Sequence, residues 1–198
     1  MTRPVLINAG CGPVGSARLP TMFDQWQHVR VDIDPAYTPD VVASVTNLSA
    51  IPSGAADAVW SAHCVEHLYS HEVRAALTEF YRVLADDGFI CVIVPDLQAV
   101  AGFIAADKLH DVIYQSAMGP ITAHDMLFGF GAAIASGNIS MAHRCGFTPT
   151  AMLQRMSEVP FDEVVIRRRQ NLEIAVVGRK IRSNSSAERD ALLAALEL

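Results

Sequence analysis

Apolar residues recur along the chain in two rhythms. Short runs bounded by turn residues predict buried strands at residues 5–7, 29–33, 41–45, 57–62 and 89–94. The last is the most apolar, and Pro95 stops it. Between Ser70 and Leu84 the rhythm changes. Val73, Ala76, Leu77, Phe80 and Leu84 repeat at helical spacing, with Glu72, Arg74, Glu79 and Arg82 on the other faces. That pattern predicts an amphipathic helix packed on a sheet, with Asp86-Asp87-Gly88 as the turn after it. Residues 97–106 read as helical, and Thr148-Pro149 opens a further helix. Residues 161–166 and 172–177 read as an antiparallel strand pair. After a linker-like Arg182-Ser-Asn-Ser-Ser, the spacing Ser185-x-x-Glu188 is a capping-box signature for a helix over 187–198. Its Leu192, Leu193 and Leu196 stripe serves either docking or a homodimer contact.

The first two strands carry the chemistry. Strand one drops into Gly10-Cys11-Gly12-Pro13-Val14-Gly15, and Asp32 follows at the tip of strand two, about 20 positions after the second glycine. A glycine turn lets backbone approach a ligand, and an acidic residue at that distance can accept both hydroxyl protons of a ribose. The pair predicts a site for an adenosine-containing cofactor. G-x-G-x-x-G is also the dinucleotide fingerprint, in which a long helix after the third glycine holds a pyrophosphate. Pro13 and Pro20 leave only about four residues for that helix, too few to propagate. An adenosine without phosphates fits better, and a nicotinamide-dependent oxidoreductase is the weaker reading.

Four stretches in order resemble the class I S-adenosylmethionine-dependent methyltransferases, in particular their small-molecule, type 11-like branch. These are Asn-Ala-Gly-Cys-Gly-Pro, Val-Asp-Ile-Asp-Pro, the segment 57–68 and the segment 79–96. The resemblance implies a Rossmann-like α/β fold: a seven-stranded, mostly parallel sheet with a terminal antiparallel pair and helices on both faces. It implies S-adenosyl-L-methionine as cofactor. Gly10, Cys11 and Gly12 would approach it through backbone, Asp32 would hold the ribose with Ile33 beside it, and Asn8 stands where an acidic residue usually meets the amino group. Ser44 occupies a position where an acidic residue is common, so Asn47 and Leu48 become the candidates for reading adenine. Ser61 and Ala62, small residues at the tip of strand four, would border the methionine portion.

The 198 residues suit one domain, expected over 1–182, with a linker and helix over 183–198. Apolar residues make up 51% of the chain, which excludes disorder, yet no run approaches the ~20 residues that cross a bilayer. A formal charge of -6 argues against nucleic acid as a partner. Four cysteines without CxxC spacing and an N-terminus without a signal-peptide pattern point to the cytoplasm. Arg167-Arg168-Arg169 reads as a solvated strand end.

Residues 107–144 differ in character. They are rich in His, Met, Phe and Gly and poor in charge, as suits a lid over a small-molecule acceptor. Methyl transfer from a sulfonium needs positioning above all, so a compact nucleophile–base constellation is not required. His63, His67, the His124-Asp125 pair and His143 are the candidate catalytic residues, facing the acceptor or serving as base; no metal is expected. Two rivals stand beside this reading. His63-x-x-Glu66-His67 matches an inverted zinc-peptidase motif, which needs to lie within a helix. A protein that binds the cofactor without catalysis would account for Asn8 and Ser44.

Overall fold

The computed structural model describes residues 3–15, 19–116, 118–181 and 186–198. A seven-stranded sheet forms from β1 (Val5–Ala9), β2 (Gln27–Asp32), β3 (Val41–Val42), β4 (Ala56–Ala62), β5 (Leu84–Pro95), β8 (Glu163–Arg169) and β9 (Glu173–Arg179). Its order is β3-β2-β1-β4-β5-β9-β8. The first five strands run parallel, and β9 turns antiparallel between β5 and β8. This is the expected Rossmann-like fold with a terminal antiparallel pair.

Strand alternation builds a core on each face. On β5, Ile90, Val92 and Val94 join Leu77 and Phe80 of α1 (Val73–Val83) and Met152 and Met156 of α5 (Pro149–Ser157). Phe89, Cys91 and Ile93 point the other way, to Phe23, Trp60, Leu193 and Leu196. Leu193 and Leu196 belong to the C-terminal segment, where α6 spans Ser186–Ala195. The leucine stripe therefore docks on its own sheet. Ser185 of the expected capping box lies outside the described residues.

Several boundaries differ from the sequence pattern. β3 pairs over only two residues, because Val45 already lies in a turn. β5 begins five residues early. Asp86-Asp87-Gly88 bulges between the Ala56–Leu84 and Ala58–Phe89 pairs, with Asp87 left-handed at φ 65°. The Arg167-Arg168-Arg169 run ends β8 with Arg167 and Arg168 exposed, as expected, yet Arg168 Nε also donates to Asp96 Oδ2 at 2.9 Å, neutralising a fully buried carboxylate that caps α2 (Leu97–Ala105). Between β1 and β2, the described residues contain one 3-10 turn, Thr21–Phe23, in place of a long helix.

The segment 107–144 contains an unexpected hairpin, β6 (Val112–Ser116) with β7 (Gly119–Thr122), then short helices α3 (Ala123–Phe128) and α4 (Gly131–Ala135). Val100 of α2, Ala123 and Met126 form its small core, with Tyr114, Ile121 and Leu172 packed against it. No described helix is long and apolar enough to cross a membrane.

Candidate active site

The tips of β1, β2 and β4 meet at one edge of the sheet, where the chain order reverses about β1. In open parallel sheets this edge, at the carboxyl ends of the strands, is where ligands bind. Gly10 and Gly12 adopt φ of 71° and 59°, a region that only glycine enters freely. The Gly10 and Cys11 amides both donate to Val31 O, at 2.9 and 3.0 Å, and the Gly12 amide donates to Asp32 Oδ2 at 2.8 Å. The Gly10, Cys11 and Gly12 N–H groups are thus spent within the fold and are not offered to a phosphate. Arg30 ties the loop from below, donating from NH2 to Gly12 O at 2.7 Å.

Asp32 is only 8% exposed, and its other oxygen accepts from the Asp34 amide at 2.9 Å. Each oxygen accepts one backbone N–H, whereas a carboxylate offers about four acceptor sites. Asp32 therefore keeps capacity for two sugar hydroxyls. Ile33 beside it stands 64% exposed, an apolar surface suited to a flat base. Asp34 caps a 3-10 turn by accepting from the Ala36 amide, which confirms it as a turn residue. These groups fit an adenosine carrying no phosphate.

Other expected contacts sit differently. The Leu48 side chain is buried and its amide donates to Glu79 Oε2 at 2.6 Å, so its N–H is not free to read adenine. Exposed Asn47 accepts the Ser49 amide on Oδ1. Asn8 is half-buried on β1. Ser61 is fully buried on β4, and its hydroxyl has no hydrogen-bond partner among the described residues. Ala62 follows it at the strand tip.

Beyond β4 the chain turns sharply. His63 takes φ 52°, left-handed for a single residue, and the following Val65–His67 is a 3-10 turn. H-x-x-E-H therefore does not lie on a helix, and the zinc-peptidase arrangement is not formed. The turn instead lays Cys64 against Gly10, where any Cβ would overlap its Sγ. It also places His63 between two carboxylates, with Nε2 3.1 Å from Glu173 Oε1 and Nδ1 3.4 Å from Glu66 Oε1. Burial opposes protonation of the ring, but Glu173 and Glu66 outweigh it and push its pKa up to about 10. Burial would raise the Glu66 carboxyl, and the neighbouring imidazoles, His63 first, reverse that and hold it below the usual range.

The segment 142–147 closes over this turn. Arg144 and Cys145 amides both donate to Glu66 O, and Arg144 NH1 reaches His67 O. His143 thereby meets His67, their ring centroids 4.9 Å apart. Burial pushes the His143 pKa down, so its ring is neutral at neutral pH. Tyr114 of the hairpin feels the negative charges of this cluster after its own burial, and its pKa rises to about 12.

His63, His67 and His143 thus gather at one place, while the His124–Asp125 pair does not form a base. Asp125 Oδ2 accepts from the Thr122 amide and hydroxyl, and Oδ1 from the Gly131 amide, which is a capping box. His124 lies in a ring stack with His110 and Phe128. Glu66 was legible only inside the rejected motif. Glu173 carried no sequence signal, because the β5–β9 register, pairing Pro95 with Glu173, decides where it stands.

Comparison with known proteins agrees with this geometry. Residues 7–92 match the family model described as a methyltransferase domain. No curated protein matches the chain. Among solved structures, a SAM-dependent methyltransferase from Archaeoglobus fulgidus superposes with a TM-score of 0.58 at 14% identity, covering 90% of this chain and 86% of that one. One from Methanosarcina mazei gives 0.59 at 12% identity, covering 92% and 95%. The 1,6-didemethyltoxoflavin-N1-methyltransferase of Burkholderia thailandensis, solved with 1,6-didemethyltoxoflavin and S-adenosylhomocysteine, gives 0.54 at 16% identity, covering 90% and 72%. The glycine loop and β1–β5 thus match a methyltransferase domain, and the fold around them is the one seen in S-adenosyl-L-methionine-dependent methyltransferases.

Proposed function

We propose that the chain methylates a polar small molecule held beneath the 107–144 segment, with the cofactor's ribose on Asp32 and its adenine against Ile33. One observation carries this reading: Cys64 packs on Gly10, so the glycine loop directly adjoins the turn bearing His63, Glu66 and His67. The cofactor brings a methyl group already activated on sulfonium, and the protein's task is to orient the acceptor and shield it. His63 retains its proton at neutral pH and can donate to the acceptor. His143, kept neutral, can accept an acceptor O–H or N–H. The bound small molecule of the Burkholderia enzyme supports such an acceptor class. Four cysteines with no disulfide among the described residues and the negative net charge support a cytoplasmic protein that does not engage nucleic acid.

The test is release of S-adenosylhomocysteine from S-adenosylmethionine across a panel of small phenols, alcohols and heterocyclic amines. Acceptor-dependent release that falls at least tenfold in His143→Ala, with S-adenosylhomocysteine affinity retained, is expected from loss of an acid–base contact worth ~10²–10⁴. Turnover indifferent to His143 would remove this assignment.

A further inference from the structure

Glu66 is 1% exposed, and neither carboxylate oxygen has a hydrogen-bond partner among the described residues. Its nearest cation is His63, 3.4 Å from one oxygen. Two other imidazole rings stand beside it. His67 Nδ1 lies 3.2 Å from Ala142 O, and His143 Nδ1 lies 3.0 Å from Met126 O. A carbonyl oxygen can only accept, so each Nδ1 carries a hydrogen and Nε2 is the nitrogen left to ligate. A buried carboxylate with neither oxygen hydrogen-bonded thus lies beside two imidazoles, an arrangement that costs free energy unless a cation completes it.

We infer that Glu66, His67 and His143 form a binding site for a divalent transition-metal ion, zinc being the natural probe. One ligand atom from each lies within 4.8 Å of the others. Tetrahedral ligands about 2.0–2.1 Å from zinc stand ~3.3 Å apart, so closure by up to about 1.5 Å completes the set. Two imidazoles and one carboxylate are a donor set for zinc or iron rather than calcium or magnesium. The backbone carbonyls on Nδ1 are the outer partners that fix tautomer and ring orientation in metal sites.

Glu66 and His67 share the Val65–His67 turn, His143 comes from a distant segment, and the support of that segment is specific. Gly129, at φ 98°, passes so close to the 141–143 segment that a Cβ there would overlap Met141 O. The His143 amide donates to Phe128 O beside it, at 3.0 Å. Three protein ligands leave a position open, as in sites that act on substrate rather than those that only staple a fold. That role, holding the acceptor's polar atom, rests on the methyl-transfer reading above and would replace His143 as proton acceptor, since its one free nitrogen cannot serve both; the metal site itself does not rest on that reading.

The experiment titrates chelator-treated full-length protein with zinc by calorimetry, and repeats it for His143→Ala and for Glu66→Gln, which preserves shape if the first variant fails to fold. Saturable one-site binding is expected, weakened roughly 100-fold or more in either folded variant, since even an outer partner of a ligand is worth ~10–100-fold. Cobalt(II) substitution reads the donor set directly: visible bands without sulfur-to-metal charge transfer support nitrogen and oxygen ligation. Absence of zinc binding, equal binding in the variants, or a thiolate band would overturn the inference. Zinc binding in a chain that fails to bind S-adenosylhomocysteine would support the site and remove the reading its role rests on.

Discussion

At the scale of single residues, contacts across the β1–β4 edge explain why particular side chains are small. Gly10 meets two demands at once, a positive φ and the near approach of Cys64. An L-residue in the left-handed region costs about 1–2 kcal/mol before any overlap is counted. Gly10→Ala should therefore lower stability by more than that, and Gly10→Ala combined with Cys64→Gly, which removes both the Sγ and the Cβ it would meet, should recover the steric part alone. Urea denaturation of the four-variant cycle measures it, and strictly additive effects would deny the contact. Residue identity alone misled elsewhere. Neighbours on a helix do not face one another, which is why His124 beside Asp125 read as a base and proved to be a stacked ring beside a cap. His63 and Glu173 meet through strand register, which pairwise chemistry does not reveal.

At the scale of elements, α1 shows how a surface charge becomes structural. Glu79 accepts from the Leu48 amide and from Arg82, whose guanidinium also donates to Leu48 O and Ile51 O. The pair staples the 48–53 loop to the helix, and the Arg82 hydrogen bond holds the Glu79 carboxyl below its usual range. A lowered carboxyl pKa stabilises the fold fully above the unfolded value near 4.5, and that contribution is lost as pH falls through the folded pKa. Glu79→Gln should lower the melting temperature at neutral pH and flatten the acid limb of the stability profile. A variant whose loss persists unchanged below that pKa would show that packing, not charge, is involved. The helical rhythm of α1 and the apolar runs of β1, β2, β4 and β5 were legible because burial imposes them. The β6–β7 hairpin was not, since its residues are only half-buried and carry no clean alternation.

At the scale of the whole molecule, the fold separates two jobs along one edge of the sheet. The β1 and β2 tips present the Asp32 carboxylate, proposed above to hold the ribose, and the apolar surface of Ile33, with the Gly10, Cys11 and Gly12 amides already satisfied. The β4 tip and the 142–147 segment gather three imidazoles around a buried glutamate. The first half was readable from glycine spacing and Asp32. The second required the chain to fold, since His143 arrives from an excursion that no local pattern aligns with His67. The Gly10, Cys11 and Gly12 amides, already bonded within the fold, offer nothing to a phosphate, which separates this turn from a dinucleotide site of similar spelling. Calorimetric titration of S-adenosylhomocysteine into the parent chain and into Asp32→Ala tests this account most directly. The prediction is one-site binding to the parent, weakened by about 1–3 kcal/mol in the variant through loss of a charged hydrogen-bond acceptor. Absence of binding to the parent, or equal affinity in a folded Asp32→Ala, would contradict it.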